Sequence, residues 1–554
     1  MRKGVISHFS KCKSVICFVA ALLVLVMLFL AGCEKEARPS SESSSSVSST
    51  AESSDDSNSD SENADSDTVQ KNEVDPLSGE FSYEETLSNI SDNVQEVIPT
   101  GNTANLSNPL NGYFDDEAEA LRKEIINTGN TEEYYKITGT KYYVSSVDGD
   151  DSNSGLSPNE ALKSTEGAGR LNLKAGDAVL FERGSVFRLY TTLLAVEGVT
   201  YGSYGEGEKP KIYGSPINLA IIIWTPSVKK NVWQIDYVYA DCGSMIFDHG
   251  EEVGYRKNSL RNLTKNTDFF QDESTNILYV YCDEGNPAKV YESIDIATRI
   301  SIIGIPSCSQ NITIDNLCLK YSGLFGVSGT WDASNITITN CEFGYIGGST
   351  TKDGASRYGN AIQFWTGSKS IVCDHNWIYQ TYDTAVSWQG YGGEEFSYEN
   401  ISFSDNLLEY NNGDYEFWDE SSTAKNFTMS NNIMRFTSLG WGSRENDGGY
   451  RGIDGCFVGD VENMTVDGIY IKDNIIDCPG RMIINLQINP NDLNSGIFVS
   501  GTKIYVNSSY RTCEEVLRGF KNSDSDLGSL DATSAEEFIA ALERFDSSAV
   551  LKWY

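Results

Sequence analysis

The sequence predicts an all-β fold, a right-handed parallel β-helix in which short strands stack into a solenoid. Three features carry that reading: an alternating phrase that recurs, an asparagine that closes each copy, and no helix-length segment between copies. The phrase reads Asn311-Ile312-Thr313-Ile314-Asp315-Asn316, then Asn335-Ile336-Thr337-Ile338-Thr339-Asn340. It returns as Asn400-Ile401-Ser402-Phe403-Ser404-Asp405-Asn406 and as Asn426-Phe427-Thr428-Met429-Ser430-Asn431-Asn432. Apolar and polar residues alternate, which is the pattern of a strand with one buried face. The copies close on Asn316, Asn340, Asn376, Asn406, Asn432 and Asn474, in steps of 24, 36, 30, 26 and 42 residues. A repeat of that length with variable inserts means stacked coils, each contacting only its neighbours. Asparagine tolerates the left-handed conformation of a sharp bend, and stacked copies can hydrogen-bond in a ladder.

In chain order, Met1-Arg2-Lys3, Lys11 and Lys13 form a positive start, and Val15 to Leu30 is an apolar run. It ends in Leu30-Ala31-Gly32-Cys33, which resembles a bacterial lipobox. Residues 1–33 are therefore expected to be a lipoprotein signal peptide, with Cys33 lipidated and the protein held at the outer face of the bacterial cytoplasmic membrane. Each buried CH₂ of the acyl chains would contribute roughly 0.8 kcal/mol to anchoring. Residues 34–80 are rich in Ser, Asp and Glu, with too little apolar surface to offset ordering entropy, so they are expected to be a disordered linker. Roughly 40 such residues reach about 35 Å.

In the N-terminal segment 81–140, acids fill the first turn of a helix over 115–127, and Leu121, Ile125 and Ile126 line one face. That helix is expected to plug the first coil. The β-helix is placed at 141–510, with a β-rich insertion at about 220–296 where the repeats vanish. In the C-terminal segment 511–554, Ser534-Ala535-Glu536-Glu537 fits a capping box. Phe538, Ile539, Leu542 and Phe545 then make an apolar face, so a helix over 534–545 is expected to cover the other open end.

The formal net charge of −37 excludes nucleic acid and an anionic membrane face as partners. The 12 cysteines have no framework spacing, and three of them lie in the export segment, so neither a disulfide scaffold nor a zinc site is expected. With only His8, His249 and His375, a histidine triad or cluster is not expected either. Asp148, Asp150 and Asn153 could hold calcium, but their loop lacks the closing glutamate of an EF-hand and reads better as a hydrogen-bonded turn. No metal site is assigned, calcium is the one cofactor left open, and the protein is expected to be a monomer.

Tyr142-Tyr143-Val144-Ser145 with its Asp/Ser/Gly loop, then Gly176-Asp177 and Gly184, resemble the start of right-handed parallel β-helix proteins of the pectate-lyase-like superfamily. Asn360-Ala361-Ile362-Gln363-Phe364-Trp365 and Tyr382 to Gly390 are similar to its large bacterial branch. The resemblance covers about residues 140 to 500 and implies a protein that acts on polysaccharide. That superfamily holds lyases, hydrolases, epimerases and non-catalytic adhesins, so the fold does not settle the activity.

Aligning three coils turns Ile362, Val386 and Tyr415 inward, and likewise Phe364, Trp388 and Phe417. Gln363, Ser387 and Glu416 then form one outward row, and Trp365, Gln389 and Trp418 the next. Aromatic rings can stack on the apolar faces of sugars while amides and carboxylates read hydroxyls. Trp365, Gln363, Gln389, Trp418 and Trp441 are accordingly the candidate substrate-binding residues. Bends add Asp383, Asp414, Asp419 and Glu420, and the next coil adds Arg444 and Arg451. Glycoside hydrolysis needs two carboxyls, about 5–5.5 Å apart for retention or 6.5–9.5 Å for inversion. Glu416 is the candidate general acid, with Asp383 or Asp414 as base or nucleophile. A lyase would instead use a basic side chain such as Arg444, often with calcium. An acidic groove repels a polyuronate unless cations bridge it, which favours a hydrolase on neutral or weakly charged glycan. A non-catalytic glycan binder is the reading from a different class.

Overall fold

The computed structural model describes residues 110–237, 239–350, 357–390, 397–418, 423–444, 455–460, 465–480, 483–487, 496–507 and 548–554. The expected signal peptide, the linker and the 534–545 helix lie outside these residues.

The architecture is the expected parallel β-helix. Most coils contribute one strand to each of three long sheets, two of ten strands and one of eight. Sheet 1 runs from Lys141–Val144 to Ile497–Ser500, sheet 2 from Val186–Arg188 to Val550–Trp553, and sheet 3 from Leu193–Leu194 to Ile484–Gln487. Within them every pairing is parallel; for example Ile312 lies opposite Ile336, Ile371 opposite Ile401, and Phe427 opposite Ile469. These residues and the matching row Ile314, Ile338, Cys373, Phe403, Met429 and Ile471 fill the interior of the solenoid.

The bends repay a closer look. Between residues 311 and 478 each coil carries three left-handed positions five residues apart: 311/316/321, 335/340/345, 370/375/380, 400/405/410, 426/431/436 and 468/473/478. The second of them is Asn316 and Asn340 in the first two coils, but His375, Asp405, Asn431 and Asp473 afterwards. The closing asparagines Asn376, Asn406, Asn432 and Asn474 therefore sit one residue past the bend, where the side chain turns inward. There they form the ladder: the side-chain oxygen of Asn406 accepts from Asn376, that of Asn432 from Asn406, and that of Asn474 from Asn432, at 3.0–3.1 Å. Bending and laddering thus fall to adjacent residues rather than to one. Each ladder bond is worth about 1 kcal/mol net.

Coil length varies only outside this eleven-residue rib. The stretches from one rib to the next (321 to 335, 345 to 370, 380 to 400, 410 to 426, 436 to 468) all contain the sheet 3 strand and its flanking loops. The largest insert falls at the same place in an earlier coil, between Lys211–Tyr213 of sheet 2 and Ile303–Ile305 of sheet 3. Its strands run from Thr225–Pro226 to Ile294–Thr298, form a five-stranded and a three-stranded sheet, and bury a separate core around Trp224, Met245, Phe269 and Leu278. The β-rich insertion expected at 220–296 is this unit.

The helix Asp115–Ile126 forms as expected, with Asp115, Asp116 and Glu117 in its first turn, but it does not plug the first coil. It lies along the outer face of sheet 2, where Ala118 and Ile125 pack with Trp377, Leu407 and Ile433. The N-terminal segment descends the solenoid coil by coil. The Asp477 carboxylate accepts from the backbone of Tyr113 and Phe114 at 3.0 Å. Asp115 pairs with Arg435, and Arg122 with Glu409. Thr128 reaches Asn340, and Ser203 donates its backbone N–H to Thr131. It is a strap. The first coil is covered instead by the short helix Thr165–Gly169, whose Ala168 joins the solenoid core and whose N-cap Ser164 accepts from Gly167.

Candidate active site

Sheet 3 has the expected register. Gln363, Ser387 and Glu416 lie opposite one another, as do Trp365, Gln389 and Trp418, while Ile362, Val386, Tyr415, Phe364, Trp388 and Phe417 face the core. Trp388 stacks on Phe364 at 6.3 Å between ring centres and packs at a tilt on Tyr415 at 5.2 Å, which fixes the strand that carries Ser387 and Gln389.

The first outward row differs from expectation in one respect: it is buried. Gln363 and Ser387 are 0 % exposed and Glu416 is 1 % exposed. Gln363 is bonded to Asn360 at 2.5 Å, which also accepts from the backbone and hydroxyl of Thr384. Gln363 therefore serves the bend between coils and offers its carbonyl to no substrate. Glu416 accepts two hydrogen bonds at one oxygen, Oε2, from Ser387 Oγ at 2.6 Å and Gln389 Nε2 at 2.7 Å. Trp365 and Gln389 are half-buried and form the solvent side of the group.

The other candidates are placed as follows. Asp414 aligns with Ala385 and Cys456, both core residues, and is wholly buried. Its carboxyl is bonded to Thr437 Oγ1 at 2.5 Å and Asn411 Nδ2 at 3.3 Å, and burial pushes its pKa up to about 7. It belongs to the interior of the coil, so it is not a groove carboxylate. Asp383 is buried at the bend before its strand, with its backbone carbonyl accepting from Gly413 at 2.9 Å. Trp441 is 4 % exposed, packs on Tyr382 and donates its indole N–H to the Gln380 carbonyl at 2.7 Å, so it is a packing residue and not a sugar platform. Arg444 stacks over Tyr255 at 4.6 Å and donates to the Val253 carbonyl, tying the insertion to the solenoid. Asp419, Glu420, Arg451 and the side chain of Trp418 lie outside the described residues.

The insertion is held at loops that lead into sheet 3. Asp241 pairs with Arg256 at 2.5 Å and accepts from the Thr350 backbone at 2.7 Å, and Arg357 lies over the Tyr382 ring at 4.0 Å. The residues missed from the sequence are Asn360, Asn411 and Tyr398. The asparagines had a signal, since each precedes by three residues the polar side chain it binds, Gln363 and Asp414. Tyr398 had none; its hydroxyl reaches back to the Gln389 carbonyl from sheet 1. Among the described residues, no group of three or more His, Cys, Asp or Glu side chains is gathered as metal ligands. In the loop proposed for calcium, Asp150 bonds Ser152 and Asn153 bonds the Ala161 carbonyl.

No family model matches the chain. A lacto-N-biosidase of Bifidobacterium longum subsp. longum is 27 % identical over 209 residues, which is 32 % of this chain and 12 % of that protein. This chain thus spans about an eighth of that relative's length. Among solved structures, a GH136 lacto-N-biosidase from Eubacterium ramulus is similar with a TM-score of 0.35 and 16 % identity, covering 68 % of this chain and 57 % of that one. A rhamnogalacturonan lyase is similar with a TM-score of 0.31 and 9 % identity, covering 66 % of this chain and 74 % of that one.

Proposed function

We propose that this protein is a carbohydrate-active enzyme of the cell surface, a glycoside hydrolase that cleaves polysaccharide with carboxylates on sheet 3. The observation that carries the reading is Glu416, fixed on a rigid strand by Ser387 and Gln389, with the half-buried Trp365 two coils away in the neighbouring outward row. Glu416 and Asp383 are the pair we assign, and Asp414 is left to the interior. Trp365 supplies the ring against which a sugar stacks, and Gln389 the neighbouring amide. The likeness of about a third of the chain to a lacto-N-biosidase supports a hydrolase over a lyase. So does Arg444, which a lyase would need free as a base and which is occupied at the insertion. The excess of acidic residues favours a neutral or weakly charged glycan. The enzyme would work as a monomer held by acyl chains on Cys33 at the end of the 34–80 linker, with no nucleic acid partner. Calcium would enter only if the chemistry were that of a lyase.

The test is a screen of the purified protein against neutral and uronic polysaccharides, reading reducing ends together with absorbance at 235 nm. New reducing ends without absorbance are expected, and Glu416→Gln should abolish them. Absorbance on a uronide would establish a lyase instead, and binding without any cleavage would establish a glycan-binding protein.

A further inference from the structure

The two hydrogen bonds to Glu416 have a direction that bears on its role. The Gln389 contact is made through the amide nitrogen, which donates and cannot accept. Oε2 is therefore an acceptor toward Gln389. Ser387 Oγ lies 2.6 Å from the same oxygen, a distance typical of a hydroxyl donating to a carboxylate. Both donors come from the preceding coil. Ser387 stands directly opposite Glu416 in the strand register, and Gln389 approaches diagonally from two residues further along. They reach one oxygen from two directions and so fix the plane of the carboxylate.

The donors are themselves held. Trp388, between them in sequence, is locked in the core against Phe364 and Tyr415. The main-chain carbonyl of Gln389 accepts the hydroxyl of Tyr398, whose ring is buried against Phe427. Gln389 thus links sheet 1 to the carboxylate on sheet 3. Side chains anchored this way need no reorganisation when a reaction begins.

We infer that Ser387 and Gln389 are positioning residues that fix the plane of the Glu416 carboxyl by committing Oε2, so that Oε1 is its reactive oxygen. This rests on the hydrolase reading of the same site.

The experiment measures the full chain in two ways. Steady-state kinetics would compare wild type with Ser387→Ala, Gln389→Leu and the conservative Ser387→Thr. The expected result is a fall in kcat of about 10- to 100-fold for Ser387→Ala and Gln389→Leu, with KM unchanged and Ser387→Thr close to wild type. In parallel, the ¹³C carboxyl resonance of Glu416, assigned by its loss in Glu416→Gln, would be compared between wild type and variants at one pH. It should move in Ser387→Ala and in Gln389→Leu, each of which removes one hydrogen bond to Oε2, and stay in place in Ser387→Thr. An unmoved resonance in both damaging variants would overturn the inference whether or not a substrate is known. A displaced resonance with no glycan cleaved by wild type would leave the positioning intact and sink the hydrolase reading alone. Unchanged kcat in both variants would also overturn it.

Discussion

Glu409 and Glu416 lie in the same coil, seven residues apart, each 1 % exposed on the outer face of its sheet. On sheet 2, Glu409 is gripped by Arg122 of the strap at 2.7–2.8 Å, by Arg435 at 3.1 Å and by the indole of Trp377 at 2.9 Å. The column continues with Lys320 paired to Glu342 at 2.7 Å and Arg435 to Asp477 at 3.3 Å. On sheet 3, the described partners of Glu416 are a hydroxyl and an amide. A carboxylate neutralised by two guanidiniums is committed to holding the strap. A carboxyl whose described partners are neutral is committed to no cation among them. Under the proposed function the two faces divide the labour, with sheet 2 binding the solenoid together and sheet 3 carrying the chemistry.

The comparison can be broken at several points. The largest effect is expected at Glu416→Gln, which should lower glycan hydrolysis by about 10²- to 10⁴-fold with little change in melting temperature. A variant that is inactive because it has unfolded would contradict this. Glu409→Gln should do the reverse, leaving two guanidiniums short of a partner. It is expected to cost about 3–5 kcal/mol in urea unfolding while the surviving folded molecules keep their specific activity.

Asp414 sharpens the contrast through pH. Its value is raised in the folded protein, from 3.8 to about 7, because burial disfavours the charge. Its contribution to stability is therefore complete below about pH 4 and is lost as pH rises through 7. Wild type should lose a few kcal/mol between pH 5 and pH 8 that Asp414→Asn does not lose. Equal slopes in denaturant titrations at the two pH values would show that Asp414 is not the cause. The smallest effect is expected for Asn406→Ala, about 1–3 kcal/mol, since it removes one rung of the ladder and orphans the groups above and below. Amide exchange should then rise at Asn376, whose backbone N–H donates to Asn406.

The stacking register was legible because it depends on local alternation, and a strand period of two leaves little freedom once one face must be buried. That alternation alone aligns Ile362, Val386 and Tyr415, which lie opposite one another in sheet 3. The bend was legible to within one residue. Asparagine suits both the left-handed turn and the ladder, and where two stand together, as at Asn431-Asn432, the sequence does not say which does which. The strap was not legible, because its apolar stripe is that of any amphipathic helix and its partners Glu409, Arg435 and Asp477 lie about 290 to 370 residues away. The depth of Gln363 and Glu416 was hidden for a related reason: strand alternation tells which way a side chain points and nothing about what covers it. Trp441 misled because an aromatic beside acids looks the same whether it awaits a sugar or packs on Tyr382.

The division between the two faces is tested most directly by measuring kcat/KM for wild type, Glu416→Gln and Glu409→Gln on one glycan, at a temperature where all three are folded by circular dichroism. The account requires activity to collapse in Glu416→Gln and to survive in Glu409→Gln. Equal activity in the two variants, or loss in Glu409→Gln alone, would contradict it.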